Sequence, residues 1–205
     1  MDIYSSSQTD EITQALNKGK TVAFGTDTVF GLACIIGNNE AIERIYTQKR
    51  REKSKKLPMM FSSVDMMNHY VKISPKTKNL INKFSPGPIT YILETIDSKE
   101  TIACRIPNDE WIIDLINKIN KPLYVTSANI SGEENILKYE EVKDKVEADV
   151  LVKKDAKGDK ASTIVDATNN YQIFKPNTCL CYNVYWVFIF LYHCEERILW
   201  LIKKI

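Results

Sequence analysis

The chain has 28 Lys and Arg against 26 Asp and Glu, a formal charge of only +2. It therefore lacks the one-signed field that draws a whole protein onto nucleic acid, and any electrostatic work must be local. Cysteines are few: the five, Cys34, Cys104, Cys179, Cys181 and Cys194, form an odd, irregular set that gives no disulfide framework. The N-terminus lacks a basic segment followed by an apolar stretch, the mark of a secretory leader. Both observations lead to the expectation of a reducing, cytoplasmic setting. Long apolar runs are also missing. The stretch Leu180 to Tyr192, interrupted by Asn183, falls short of the roughly 20 residues a spanning helix needs, so a membrane is not an expected partner. Neither a Walker loop nor a dinucleotide fingerprint is present, because the glycine spacing and the Lys-Ser/Thr ending are absent.

What is there is enough for one substantial core in 205 residues. Apolar spacing predicts helices over Ser7–Leu16, Glu40–Gln48, Val64–Val71, Pro75–Phe84, Trp111–Ile119 and Glu140–Val146. Strands are predicted over Thr21–Phe24, Leu57–Phe61, Ile89–Leu93, Thr101–Pro107, Pro122–Val125, Val150–Val152 and the piece ending Ile164-Val165-Asp166. This alternation indicates an α/β fold, a single domain built on an open twisted mixed sheet, parallel and antiparallel, with flanking helices.

Several stretches carry chemistry. Thr126-Ser127-Ala128-Asn129-Ile130-Ser131-Gly132 follows a buried strand, and Ser127 and Asn129, two apart, project to one face if the strand persists. Its plainer reading is a polar turn whose side chains bond their own backbone. Gly25-Thr26-Asp27-Thr28-Val29-Phe30-Gly31 is a loop bracketed by glycines, with two hydroxyls for one ligand. Lys49-Arg50-Arg51-Glu52-Lys53-Ser54-Lys55-Lys56 sets six cations against one carboxylate, either a solvated face or an anion site. Arg105 lies inside an apolar strand and must meet a carboxylate, from a protein Asp or Glu or from a ligand. Ser162-Thr163 presents a second hydroxyl pair at a strand end, by the plainer reading only a cap.

Taken together in this order, Gly25 to Leu32, Lys49-Arg50-Arg51, Ser85-Pro86-Gly87-Pro88-Ile89-Thr90, Arg105-Ile106-Pro107, Ser127-Ala128-Asn129 with Ser131-Gly132, and Ser162 to Asp166 resemble the Sua5/YrdC family. The likeness covers roughly Thr9 to Pro176. It implies a YrdC-like catalytic domain over 1–176 that condenses L-threonine, bicarbonate or CO2, and ATP into threonylcarbamoyl-AMP and pyrophosphate. It also implies delivery to a threonylcarbamoyl transferase complex, with possible tRNA contact, for modification of adenosine 37. A different class of function, a noncatalytic double-stranded RNA- or tRNA-binding module of the same fold, would keep the basic groove without turnover.

By resemblance, Thr28, Arg105, Ser127 and Ser162 hold threonine, Arg105 finding its carboxylate on that substrate. ATP falls to Lys49, Arg51, Lys55, Thr101, Asn129 and Lys175, and the catalytic set is Lys49, Arg51, Ser127 and Asn129. No general base is assigned, and no carboxylate cage for a metal is expected, Mg2+ being carried by ATP. The chain departs from the family pattern at Gly25 (usually proline), Asp27 (glutamate), Glu52 (proline), Met60 (often histidine), Leu137 (often Ser or Thr) and Lys175 (arginine). Beyond Pro176 the likeness stops. Residues 177–205 form an atypical apolar C-terminal tail with two of the three tryptophans and three of the five cysteines. That tail reads as a non-native continuation ahead of an interfacial anchor or a packed extension, and its Cys/His spacing is poor for zinc.

Overall fold

A computed structural model describes residues 1–130 and 132–174. Among them ten strands form one sheet: β1 (Asp2–Ser5), β2 (Val22–Gly25), β3 (Phe30–Ile35), β4 (Met59–Met60), β5 (Ile89–Glu94), β6 (Thr101–Arg105), β7 (Leu123–Ser127), β8 (Val150–Lys153), β9 (Thr163–Asp166) and β10 (Gln172–Phe174). Their order is β1-β8-β2-β3-β7-β4-β6-β5-β9-β10. The pairs β1/β8, β2/β8, β4/β6 and β5/β9 are parallel and the remaining five antiparallel, which makes the sheet mixed.

Six helices flank it: α1 (Thr9–Asn17), α2 (Asn39–Gln48), α3 (Val64–Asn68), α4 (Pro75–Phe84), α5 (Glu110–Ile119) and α6 (Tyr139–Lys145). Their starts follow capping chemistry. Asn38, Ser63, Ser74 and Asp109 each accept a first-turn backbone N–H, and Pro75 stands where its missing N–H costs nothing. Asn120 closes α5 in the left-handed conformation.

On one face, α2 and α6 pack Ala41, Ile45 and Val142 against Ala23, Phe30, Leu32 and Leu151. On the same face, α3 and α4 pack Met67, Leu80 and Ile81 against Tyr91, Cys104 and Val165. The other face is covered only in part: α1 and α5 bury Phe24, Ala33, Leu123 and Val152. Beyond that cover, β5, β6 and β9 have one buried row and one less buried row, with Ile92, Ala103 and Ile164 only half-buried between fully buried neighbours. The uncovered half of this face is where a ligand has room.

The expected helices and most strands are present with shifted ends. The predicted helix Val64–Val71 stops at Asn68, and the predicted strand Leu57–Phe61 narrows to Met59–Met60, since Pro58 cannot donate to a ladder. Three strands were not anticipated, β1, β3 and β10. The first and last are short edges with largely exposed side chains, and β3 is buried on both faces, so it shows no alternation.

Candidate active site

A cleft of about 360 Å³ opens on the uncovered face. Its polar wall is built by Thr28, Arg105, Thr90, Ser127 and Ser162, its basic rim by Arg51 and Lys55, and its apolar floor by Val29, Met60, Val125 and Ile164. Thus Thr28, Arg51, Lys55, Arg105, Ser127 and Ser162, six positions spread over 135 residues, are brought to one cavity by the sheet register. Gly31 lies opposite Ser127 in the β3/β7 pairing, so no side chain competes for the space beside the serine.

Arg105 is buried, at 6% exposure, and held by three hydrogen bonds. Its Nε donates to Gly87 O at 3.1 Å, Nη1 to Thr28 Oγ1 at 2.9 Å and Nη2 to Asp27 Oδ2 at 2.6 Å. Burial pulls its pKa below the usual arginine value, and the Asp27 charge pushes back. Of the two carboxylate sources the sequence left open, the protein supplies one: Asp27, across a buried ion pair. Three of the five guanidinium N–H bonds are used in these contacts, so two are left for the cleft. Asp27 was noticed in the sequence only as a departure from a motif; its Oδ2 also accepts from Asn108 N at 2.9 Å, and its Oδ1 is buried without a partner.

The threonines of the first loop bond each other, Thr26 Oγ1 to Thr28 Oγ1 at 2.9 Å. A strap from Lys154 to Ser162 closes over them. Lys154 Nζ donates to Gly25 O and to Asp109 Oδ2, both at 2.7 Å, and Lys157 N donates to Thr26 O at 2.8 Å. Glycine is required twice for this closeness: a Cβ on Gly25 would stand 2.2 Å from the Asp155 carbonyl, and one on Gly158 2.8 Å from Thr28 O. The strap delivers Ser162, whose hydroxyl pairs with Thr90 Oγ1 at 2.7 Å. Thr90 is a wall residue that sequence reasoning missed; a single hydroxyl in the otherwise apolar run Ile89 to Leu93 was the only signal for it.

Three of the expected site residues lie elsewhere, and a fourth is not among the described residues. Lys49 is 2% exposed and does not reach the cleft wall; its Nζ donates to Ser127 O at 2.5 Å and to Asn129 O. Burial, then repulsion from Arg51, lowers its pKa to about 8. Asn129 is also off the wall, its Nδ2 donating to Glu133 O at 2.6 Å while Oδ1 is buried without a partner. Thr101, at the far end of β6 from Arg105, is exposed and lines a separate, shallower depression with Ser54, Lys56, Lys99 and Ala103. Four strand residues span about 13 Å, which separates it from the arginine. Lys175 lies outside the described residues.

The rim cations hold their own loop as well as facing the cleft. Arg51 Nε donates to Lys55 O at 2.8 Å and Nη2 to Lys56 O at 3.0 Å, and Lys55 pairs with Glu52 at 3.1 Å. Among the described residues no three His, Cys, Asp or Glu side chains converge, and no carboxylate lines the cleft. This donor set does not fit a divalent ion held by protein ligands.

A family model for Sua5/YciO/YrdC, described as "Telomere recombination", matches residues 14–176. The chain is similar to the putative threonylcarbamoyl-AMP synthase of Methanocaldococcus jannaschii, 38% identical over 130 residues that cover 60% of this chain and 61% of that one. It is also similar to the threonylcarbamoyl-AMP synthase of Vibrio vulnificus, 30% identical over 157 residues, 71% of this chain and 84% of that one. Among solved structures it resembles P. abyssi Sua5 complexed with L-threonine, with a TM-score of 0.72 and 26% identity over 82% of this chain and 55% of that chain. It therefore spans under two thirds of the M. jannaschii relative and about half of the P. abyssi protein. With a family model covering most of its length and a matching mixed sheet, the chain is a member of the Sua5/YciO/YrdC family.

Proposed function

We propose that this cleft makes threonylcarbamoyl-AMP from L-threonine, bicarbonate or CO2, and ATP, releasing pyrophosphate. The observation that carries the reading is the division of one cavity into a buried guanidinium with hydroxyls and a basic rim. The two unused N–H bonds of Arg105 suit the substrate carboxylate, and Thr28, Ser127 and Ser162 suit its hydroxyl and carbamate. Relatives named threonylcarbamoyl-AMP synthase support the same assignment.

In this reading the amine of threonine takes up CO2 as a carbamate. A carbamate oxygen then forms a bond to the α-phosphorus as the bond to the β-phosphate oxygen breaks, and pyrophosphate leaves. Arg51 and Lys55 stabilise charge building on the phosphates, and positioning of three reactants in one place supplies much of the acceleration. Mg2+ enters with ATP as part of the substrate. Thr101 and Ala103 share the sheet face of Arg105, two residues apart each, so a nucleotide extending along β6 past Lys55 reaches the depression lined by Thr101. The product passes to a threonylcarbamoyl transferase acting on tRNA, and the reducing interior of the cell is the setting.

The test is pyrophosphate release. With ATP and bicarbonate present, adding L-threonine is expected to start it; release that ignores threonine, or none, contradicts the proposal and favours a binding module.

A further inference from the structure

Lys49 is 2% exposed, yet both contacts of its ammonium are to backbone carbonyls, of Ser127 and of Asn129. These two oxygens flank Ala128, whose own N–H is fixed to Phe30 O at 2.8 Å. Three consecutive residues at the end of β7 are thereby tied, two by one cation and one by the neighbouring strand. Without the ammonium, two carbonyls would sit side by side in a buried place with no donor between them, and buried polar groups left unpaired are expensive. Arg51, two residues on, does face the cleft.

We propose that Lys49 is a positioning residue: it acts through the Ser127 and Asn129 carbonyls to hold the turn that presents Ser127 to the cleft, and leaves the phosphates to Arg51. The proposal rests on the reading of the cleft as a threonine and ATP site. It divides one short basic segment into an inner cation that shapes the turn and an outer cation that meets the substrate anion. A lysine suits the inner place because its three N–H donors rotate on a compact head, so one amine can serve two carbonyls.

Calorimetry of L-threonine and of inorganic pyrophosphate separates the two roles, using wild type, Lys49→Met, Arg51→Ala, Ser127→Ala and the Lys49→Met/Ser127→Ala double variant. Methionine fills the slot and removes the donors. Lys49→Met is expected to weaken threonine binding at least tenfold while pyrophosphate affinity changes less than threefold, and Arg51→Ala to do the reverse. The Lys49 and Ser127 losses are expected to be non-additive, since both act on one turn. Lys49→Arg, which keeps N–H donors, is expected to recover part of the threonine affinity; if Lys49→Met does not fold, the same cycle run with Lys49→Arg decides. Loss of pyrophosphate binding as large as that of Arg51→Ala, or additive threonine losses, overturns the proposal. Wild type that binds threonine and releases pyrophosphate beside such results sinks only this inference, whereas wild type that does neither sinks the reading of the cleft.

Discussion

At the scale of single residues, the site is organised by two buried cations with different partners. Arg105 is balanced by Asp27, both side chains 7% exposed. Breaking such a pair by removing one member leaves an uncompensated charge, so Asp27→Ala is expected to cost about 3–5 kcal/mol in chemical denaturation; a loss below about 1 kcal/mol would show the pair to be dispensable. Lys49 is expected to make turnover pH-sensitive. Its folded pKa of about 8 lies below the ordinary 10.5, so the unfolded chain holds this proton more tightly. Stability from this group therefore rises with pH between about 8 and 10.5 and is lowest below that window. The clamp on the turn runs the opposite way, because as pH rises through the same value the amine loses the charge that strengthens its bonds to the two carbonyls. Threonine-dependent pyrophosphate release is expected to fall above pH about 8, and the free energy of unfolding of wild type relative to Lys49→Met to increase. A flat difference would contradict the assignment.

At the scale of elements, the sequence was most readable where an apolar, β-rich run is bounded by turn residues. Ile89 to Leu93, set off by Ser85-Pro86-Gly87-Pro88, is marked as a strand in this way, whereas the side on which Thr90 and Ile164 lie emerges only from the burial pattern of the fold. Legibility failed for β3, because a strand buried on both faces has no period to read. It failed too for the partner of Arg105: the sequence demands a carboxylate, but Asp27 is 78 positions away and only the sheet brings it near. The inward placement of Lys49 was illegible for a related reason. A charge run tells that cations are clustered, and not which of them turns inward. The strap over the threonine loop gives a prediction at this scale. Gly25→Ala places a methyl group against the Asp155 backbone, which cannot rotate away, so a loss of about 1–3 kcal/mol is expected from overpacking. Calorimetric threonine binding should weaken in parallel, since the strap carries Ser162; unchanged stability would mean that the strap is loosely seated.

For the molecule as a whole, the helix cover explains why there is a site here at all. Two helices shield one half of a sheet face, and the other half keeps a buried arginine, hydroxyls and a basic rim in the same cavity. The family likeness was legible as an ordered set of weak motifs, each ordinary alone. If one cavity takes both substrates, ATP and threonine together should stabilise the folded chain through mass action. About 2.7 kcal/mol is expected from each ligand at a hundred times its own Kd, or roughly 5–10 °C per ligand in the melting temperature for a domain of this size. No shift with either ligand would argue against a site for it in this cleft. In the proposed reaction this cleft joins a carbamate, and not the bare amino acid, to AMP. Isotopically labelled bicarbonate tests it most directly, with the adenylate product weighed by mass spectrometry. The label is predicted to appear in a threonine-containing adenylate; an unlabelled threonyl-AMP, or no adenylate beyond the ATP supplied, would contradict it.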